Sequence, residues 1–209
     1  MLKAYKTVLR DSVTEFTEKK SRFIGRCFRV NSAEEAMARL AEVRKMHSDA
    51  THNCWAYSLS SGEKRFSDDG EPGGTAGMPI MDTLIKRDIT DALIVVTRYF
   101  GGILLGSGGL VRAYSRSASD ALSLSGEGLM APCTVIAFSA DYPRFGQIEG
   151  FVKSESIVDS IEFQENVRFR VTVPNEKLDG FIRTLSDKTD GKTVPAVVGE
   201  TFVPVPLKE

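Results

Sequence analysis

The sequence is poor in the residues that serve metal, redox or covalent chemistry. Its three cysteines, Cys27, Cys54 and Cys133, are odd in number and far apart. A disulfide framework is therefore not expected, and a reducing compartment is. There are two histidines, His47 and His52, and with no Cys-x-x-Cys beside them no zinc ligand set is complete. No Gly-Lys-Ser/Thr follows any glycine-rich stretch, which excludes a Walker loop, and no Gly-x-Ser-x-Gly elbow is present. Apolar runs long enough to span a bilayer are missing, and the first residues lack the apolar core of a secretory signal. The expected setting is the cytoplasm, away from membranes, with no cofactor, no metal and no catalytic set. The net charge is only −1. It conceals a basic start, in which Lys3, Lys6, Arg10, Lys19, Lys20, Arg22, Arg26 and Arg29 face Asp11, Glu15 and Glu18. Such a segment suits a phosphate-bearing partner or an ordinary solvated sheet face.

Glycine, by contrast, is plentiful and concentrated. Phe66 to Pro79 reads FSDDGEPGGTAGMP, and Arg98 to Leu110 reads RYFGGILLGSGGL. Both are loop compositions. Between them lie a short helix expected over Ile80 to Arg87 and a β-rich run, Ala92 to Thr97, which should bring the two loops together as one functional surface.

Strands are expected at Tyr5 to Arg10, Ser21 to Val30 and Asp49 to Ser60. Ser32 and Glu35 have the spacing of a capping box. They open a helix running to about Met46 that should bury Ala36, Met37, Leu40 and Val43. A later helix, about Leu110 to Leu124, should bury Leu110, Ala113, Tyr114, Ala118 and Ala121. Ser123 to Pro132, rich in Ser and Gly, reads as the domain boundary and divides residues 1–129 from 130–209. The second part has β-α-β-β-α-β order: a strand at Cys133 to Ser139, a helix begun by Pro143, a hairpin of Ile157 to Phe163 and Val167 to Val173, a helix through Phe181 and Leu185, and a closing strand at Val197 to Val205. This is the pattern of a ferredoxin-like α+β domain.

The second loop leads into a helix at Gly106-Ser107-Gly108-Gly109. Free N–H groups and the helix dipole favour a phosphate-type anion there, with Arg98 and Arg112 as added donors. The alternative is that these glycines only permit tight turns and close packing. In the first loop, Asp68, Asp69 and Glu71 match no calcium spacing. They could hold the turn through backbone amides, with Thr75 capping the next helix, or fasten the loop to Arg98 or Arg65. His52, a serine (Ser67 or Ser107) and Asp68 permit a hydrolytic triad without requiring one.

Several stretches together resemble the YigZ/IMPACT family: Lys20-Ser-Arg-Phe-Ile-Gly25, His52-Asn-Cys-Trp-Ala56, Ser67-Asp-Asp-Gly-Glu-Pro-Gly-Gly-Thr-Ala-Gly77, Val96-Thr-Arg-Tyr-Phe-Gly-Gly102 and Leu105-Gly-Ser-Gly-Gly-Leu110. The resemblance implies an N-terminal domain of the ribosomal protein S5 domain 2-like type. It also implies a C-terminal domain similar to the last domain of elongation factor G, a bacterial origin, and a role in translation control. The expected function is non-enzymatic regulation by binding RNA, the ribosome or a translation-associated protein. The binding surface would comprise His52, Asp68, Asp69, Glu71, Gly73, Gly74, Thr75, Arg98, Tyr99, Gly101, Gly102, Gly106, Ser107, Gly108 and Arg112. Lys19, Lys20, Arg22, Arg98 and Arg112 would supply phosphate contacts. The rival expectation is a hydrolase, peptidase or phosphate-ligand enzyme using the cleft between the loops.

Overall fold

The computed structural model describes residues 4–206, and Lys3 of the basic start lies outside them. It is a mixed α/β structure of two compact units, Tyr5–Leu129 and Met130–Val203. The first is built on an antiparallel sheet whose strands lie in the order β2 (Ser12–Glu18), β3 (Ser21–Arg29), β6 (Ala92–Tyr99), β4 (His52–Ser58), β5 (Lys64–Ser67). Strand β1 (Tyr5–Val8) precedes it.

Alternation along the central strands directs side chains to two different cores. Cys54 and Ala56 of β4, Ile94 and Val96 of β6, and Phe23 and Cys27 of β3 meet α2 (Gly77–Lys86) and α3 (Ser107–Ser125) on one face. Trp55, Tyr57, Leu93 and Val95 meet α1 (Ala33–Met46) on the other. Covering on both faces explains why β6 opens as a continuous apolar run, Ala92 to Val96. Gly25 lets α3 lie close against β3, because a Cβ there would stand 2.5 Å from the Ser117 carbonyl oxygen. Any larger residue would push the helix off the sheet.

The expected α1 cap forms: Ser32 Oγ accepts from the Glu35 amide at 3.2 Å, and Glu35 Oε2 accepts from Asn31 N at 2.8 Å. Ala36, Leu40 and Val43 are buried as the spacing predicts, but Met37 is 42% exposed and lies outside the stripe. Strands β2 and β5 are not expected from the sequence. Each is an outer strand with little apolar content (SVTEFTE and KRFS), so its pairing comes from neighbours rather than from its own pattern.

The stretch expected at the domain boundary, Ser123 to Pro132, is regular structure and not a loop. Helix α3 reaches Ser125, Gly126 turns the chain with φ 71°, and β7 (Glu127–Ala140) runs straight through Pro132, so the division between units falls inside a strand. The glycines here serve that turn and the close approach of Gly128, where a Cβ would meet Leu9 Cδ2 at 2.3 Å.

In the second unit the order is β7, α4 (Tyr142–Glu155), β8 (Ile157–Phe163), β9 (Val167–Pro174), α5 (Leu178–Lys188), β10 (Ala196–Pro206). Strand β7 pairs with β9 and β9 with β8, both antiparallel, and β10 pairs with β7. Asp141 caps α4 by accepting from Arg144 N at 3.0 Å, with Pro143 in the first turn as expected. Phe138, Ile148, Val152, Phe169, Phe181 and Leu185 form the core.

Candidate functional site

The site begins with strand register. His52 of β4 and Phe23 of β3 both lie opposite Arg98 of β6, so these residues stand side by side on the face covered by α2 and α3. That placement draws Arg98 inward: the residue is only 5% exposed. A guanidinium so placed needs a counter-charge, and the first glycine loop brings one. Arg98 Nη1 lies 2.7 Å from Glu71 Oε1, Tyr114 Oη of α3 donates to the same oxygen at 2.7 Å, and Arg98 Nη2 donates to Ser21 Oγ at 3.3 Å. Arg98 Nε has no acceptor. Burial pushes the Tyr114 hydroxyl far above its ordinary pKa, so it stays a donor to Glu71.

The other carboxylates of the loop organise its backbone. Asp68 accepts from Gly74 N at 2.9 Å through one oxygen, and from Ala76 N at 3.0 Å and Gly77 N at 2.8 Å through the other. Burial raises its carboxyl pKa, but the Gly74, Gly77 and Ala76 amides outweigh that and hold it below the ordinary value. Asp68 thereby serves the start of α2, a task the spacing assigns to Thr75. Thr75 Oγ1 instead donates to Pro72 O at 2.6 Å, and the N-cap residue, Ala76, has no capping side chain. Asp69 Oδ2 accepts from Asn53 N at 2.7 Å, its Oδ1 from Arg44 at 2.6 Å, and its carbonyl meets His52 Nδ1 at 2.8 Å. Because a carbonyl can only accept, Nδ1 carries the proton. His52 Nε2 then points toward Glu71 Oε2, 3.9 Å away.

The permitted triad does not assemble. Asp68 is fully engaged by amides, His52 is held by a carbonyl, and Ser67 Oγ accepts from Asp69 N at 3.1 Å. Cys54 donates to the Asp68 carbonyl at 2.9 Å, and burial pushes its thiol up to about 12, which leaves no thiolate at neutral pH. No group of His, Cys, Asp and Glu able to hold a metal occurs among the described residues.

Residues of both glycine loops line one cleft of about 420 Å³: Gly70, Glu71 and Pro72 from the first, Phe100 and Leu104 to Ser107 from the second, with His52, Arg98 and Leu110 between them. Of the residues expected at the surface, this cleft gathers His52, Glu71, Arg98, Gly106 and Ser107. Gly73 and Gly74 stand away from it, with nothing within 4 Å of an added Cβ. Gly101 is a packing residue, since a Cβ there would lie 2.0 Å from the Lys20 carbonyl oxygen, and Gly102 turns the loop with φ 82°. Tyr99 points to the opposite sheet face, where its hydroxyl meets His47 Nδ1 at 2.8 Å and Asp49 Oδ1 at 3.1 Å.

A second pocket, of about 250 Å³, lies beside the start of α3, lined by Phe16, Glu18, Lys19, Leu105, Gly109, Arg112, Ala113 and Arg116. Here two of the five expected phosphate contacts change role. Arg98 is buried against Glu71, and Arg22 is held by Glu15 through two bonds of 2.7 and 2.8 Å. Lys19, Lys20 and Arg112 are exposed and have no ion pair among the described residues. Arg116, which the sequence reading passes over, stacks 4.3 Å above Phe16 on the same rim. The residues of the buried network that the sequence reading missed are Ser21 and the phenol of Tyr114. Tyr114 was legible only as a member of the α3 stripe, and Ser21 only as part of the Lys20 to Gly25 stretch that carries the family resemblance.

Comparison with known proteins gives a consistent picture. The Impact N-terminal domain matches residues 19–122, and a domain of unknown function, DUF1949, matches residues 138–192. YvyE of Bacillus subtilis, an IMPACT family member, is 39% identical over 196 residues, covering 92% of this chain and 90% of its own. YigZ of Escherichia coli is 36% identical over 178 residues, covering 83% and 87%. A protein IMPACT homolog of Dictyostelium discoideum is 37% identical over 126 residues, 57% of this chain but 35% of its own. One solved structure, titled a hypothetical protein, superposes with a TM-score of 0.62 at 31% identity, over 95% of this chain and 99% of that one. With relatives of this identity matched over nearly their full length, and both glycine loops inside the matched domain, the chain belongs to the IMPACT family.

Proposed function

We propose that this protein is a non-enzymatic regulator of translation or of its stress control, and that it binds RNA or the ribosome through the rim at the start of α3. The observation that carries this reading is the convergence of Lys19, on the turn between β2 and β3, with Arg112 and Arg116 of α3 around one pocket; Lys20 is exposed on the same turn. The same helix begins without a side-chain cap and with no acidic residue in its first turn. Positive side chains and free amides at one edge suit a phosphate backbone. Family kinship supports a translation setting by analogy, and a translation-associated protein is the other partner of that kind. We read the first unit as ribosomal protein S5 domain 2-like and the second, from its strand order, as ferredoxin-like. The setting is the cytoplasm; no helix among the described residues is long and apolar enough to cross a membrane.

The test is an RNA titration of the full chain at increasing KCl. Affinity falls with salt, and the double variant Lys19→Ala, Arg112→Ala lowers the salt slope by about 2. Unchanged affinity and slope in that variant would sink the assignment.

A second reading, an enzyme acting on a peptide or phosphorylated substrate, is favoured by one observation: His52 lines the cleft with its Nε2 3.9 Å from Glu71 Oε2. Turnover abolished by His52→Ala would establish it.

A further inference from the structure

Arg98 is not the only buried arginine of the first sheet. Arg26 of β3 lies opposite Val95 of β6, on the face covered by α1 and opposite to the one that carries the basic rim. It is 8% exposed, yet unlike Arg98 it has no ion pair among the described residues. The carboxylates on this side are engaged elsewhere: Glu15 holds Arg22 through two bonds, and Asp49 accepts from Tyr99 Oη at 3.1 Å. Arg26 Nη1 has no acceptor, and Nη2 meets the sulfur of Met46 at 3.6 Å. Burying a charge is costly unless it is paired and hydrogen-bonded, so this guanidinium stands short of an acceptor.

Met46 is the last residue of α1 and is 65% exposed. Its side chain is thus open to solvent while its sulfur touches an uncompensated cation. A thioether sulfur is a weak acceptor and answers that cation poorly. The other methionines lack one or other of these features. Met37 and Met78 are each 42% exposed but have no donor at sulfur among the described residues, and Met81 and Met130 are buried.

We propose that Met46 is an oxidation site for hydrogen peroxide, and that its sulfoxide is received by Arg26. A lone pair of the sulfur attacks one peroxide oxygen, and the O–O bond breaks as the S–O bond forms. The departing hydroxide takes the proton of the attacked oxygen and leaves as water. Sulfur is oxidised by two electrons and the peroxide is reduced. The new oxygen is one bond away from a sulfur already in contact with Nη2, and it accepts a charge-assisted hydrogen bond that the thioether could not. Methionine sulfoxide commonly disrupts an apolar contact. Here it supplies the acceptor that a buried cation lacks, so oxidation tightens the join between the end of α1 and β3. A thiol-dependent sulfoxide reductase restores the thioether, with two thiols becoming a disulfide and the oxygen leaving as water.

The experiment treats the full chain with limiting hydrogen peroxide, locates the added oxygen by peptide mass spectrometry and follows the thermal melt. Met46 gains oxygen before Met37 and Met78, and the melting temperature rises by about 2–4 °C. Met46→Leu treated in the same way shows no rise, which separates Met46 from the other methionines. Arg26→Leu removes the donor, and its oxidised form melts no higher than its unoxidised form. Should Arg26→Leu fail to fold, Met46→Gln places an amide oxygen near Arg26 in an otherwise native chain and raises the melting temperature without any oxidant. Oxygen appearing first at another methionine overturns the assignment. So does a melting temperature that fails to rise on oxidation or with Met46→Gln, or an equal rise in Arg26→Leu.

Discussion

The two glycine-rich loops have similar compositions and opposite mechanics. The first, residues 66–79, is fastened along its length: Asp68 gathers three amides, Asp69 ties β4 and Arg44 to it, and Glu71 is buried against Arg98 and Tyr114. The second is held at its ends. Phe100 N donates to Thr51 Oγ1 at 3.0 Å, Gly101 N to Ser21 Oγ at 3.3 Å, and Leu110 N to Gly106 O at 2.9 Å. Between those points Gly102 and Gly106 take positive φ, and Ile103 and Leu104 face outward. One loop is tied by its carboxylates along its length, and the other by backbone bonds near its ends and by Leu105 against the core. Glycine content alone does not distinguish them, and the carboxylates do.

The comparison is broken most completely at Glu71. Glu71→Ala leaves Arg98 buried without its counter-charge and costs about 3–5 kcal/mol, read by urea denaturation. A loss below about 1 kcal/mol would mean that Arg98 reaches water. The second loop is most sensitive where it is anchored. Gly101→Ala sets a methyl 2.0 Å from the Lys20 carbonyl oxygen and costs about 3 kcal/mol, with the β2–β3 amides shifting in NMR spectra.

Asp68 comes next. Its amide bonds favour the ionised form in the folded state, so its pKa lies below the ordinary 3.8. The stability it contributes is complete above the unfolded value and is lost as pH falls through the folded one. Asp68→Asn costs about 1–2 kcal/mol at neutral pH, and the difference from the parent narrows in acid. A difference independent of pH would show that the carboxylate charge is not what holds the turn. The smallest effect belongs to the outward-facing part of the second loop: Ile103→Ser changes stability by less than about 0.5 kcal/mol by thermal melt, and a larger loss would show that this loop is packed as firmly as the first.

Much of the scaffold was legible. The helix stripe of α3, the α1 cap, the alternation of Val167, Phe169, Val171 and Val173, and the β-α-β-β-α-β order of the second unit all express local periodicity. The outer strands β2 and β5 were not, since residues such as Thr14 and Lys64 extend only because a neighbouring strand offers hydrogen bonds. The Ser123 to Pro132 stretch has a loop composition, yet it holds the end of α3 and the start of β7, because its glycines serve a turn and a close approach.

The sequence by itself determined the two loops, the strand between them and the family to which they belong, because these rest on residue types at fixed short spacings. Only the tertiary structure decided which charges face water. The opposition of His52 and Phe23 to Arg98 across three strands turned an expected phosphate contact into the buried partner of Glu71, and left Lys19, Lys20 and Arg112 outside. A charge is neutralised by whatever lies within a few ångströms of it, and the distance from Glu71 to Arg98 is set by strand register, not by position along the chain.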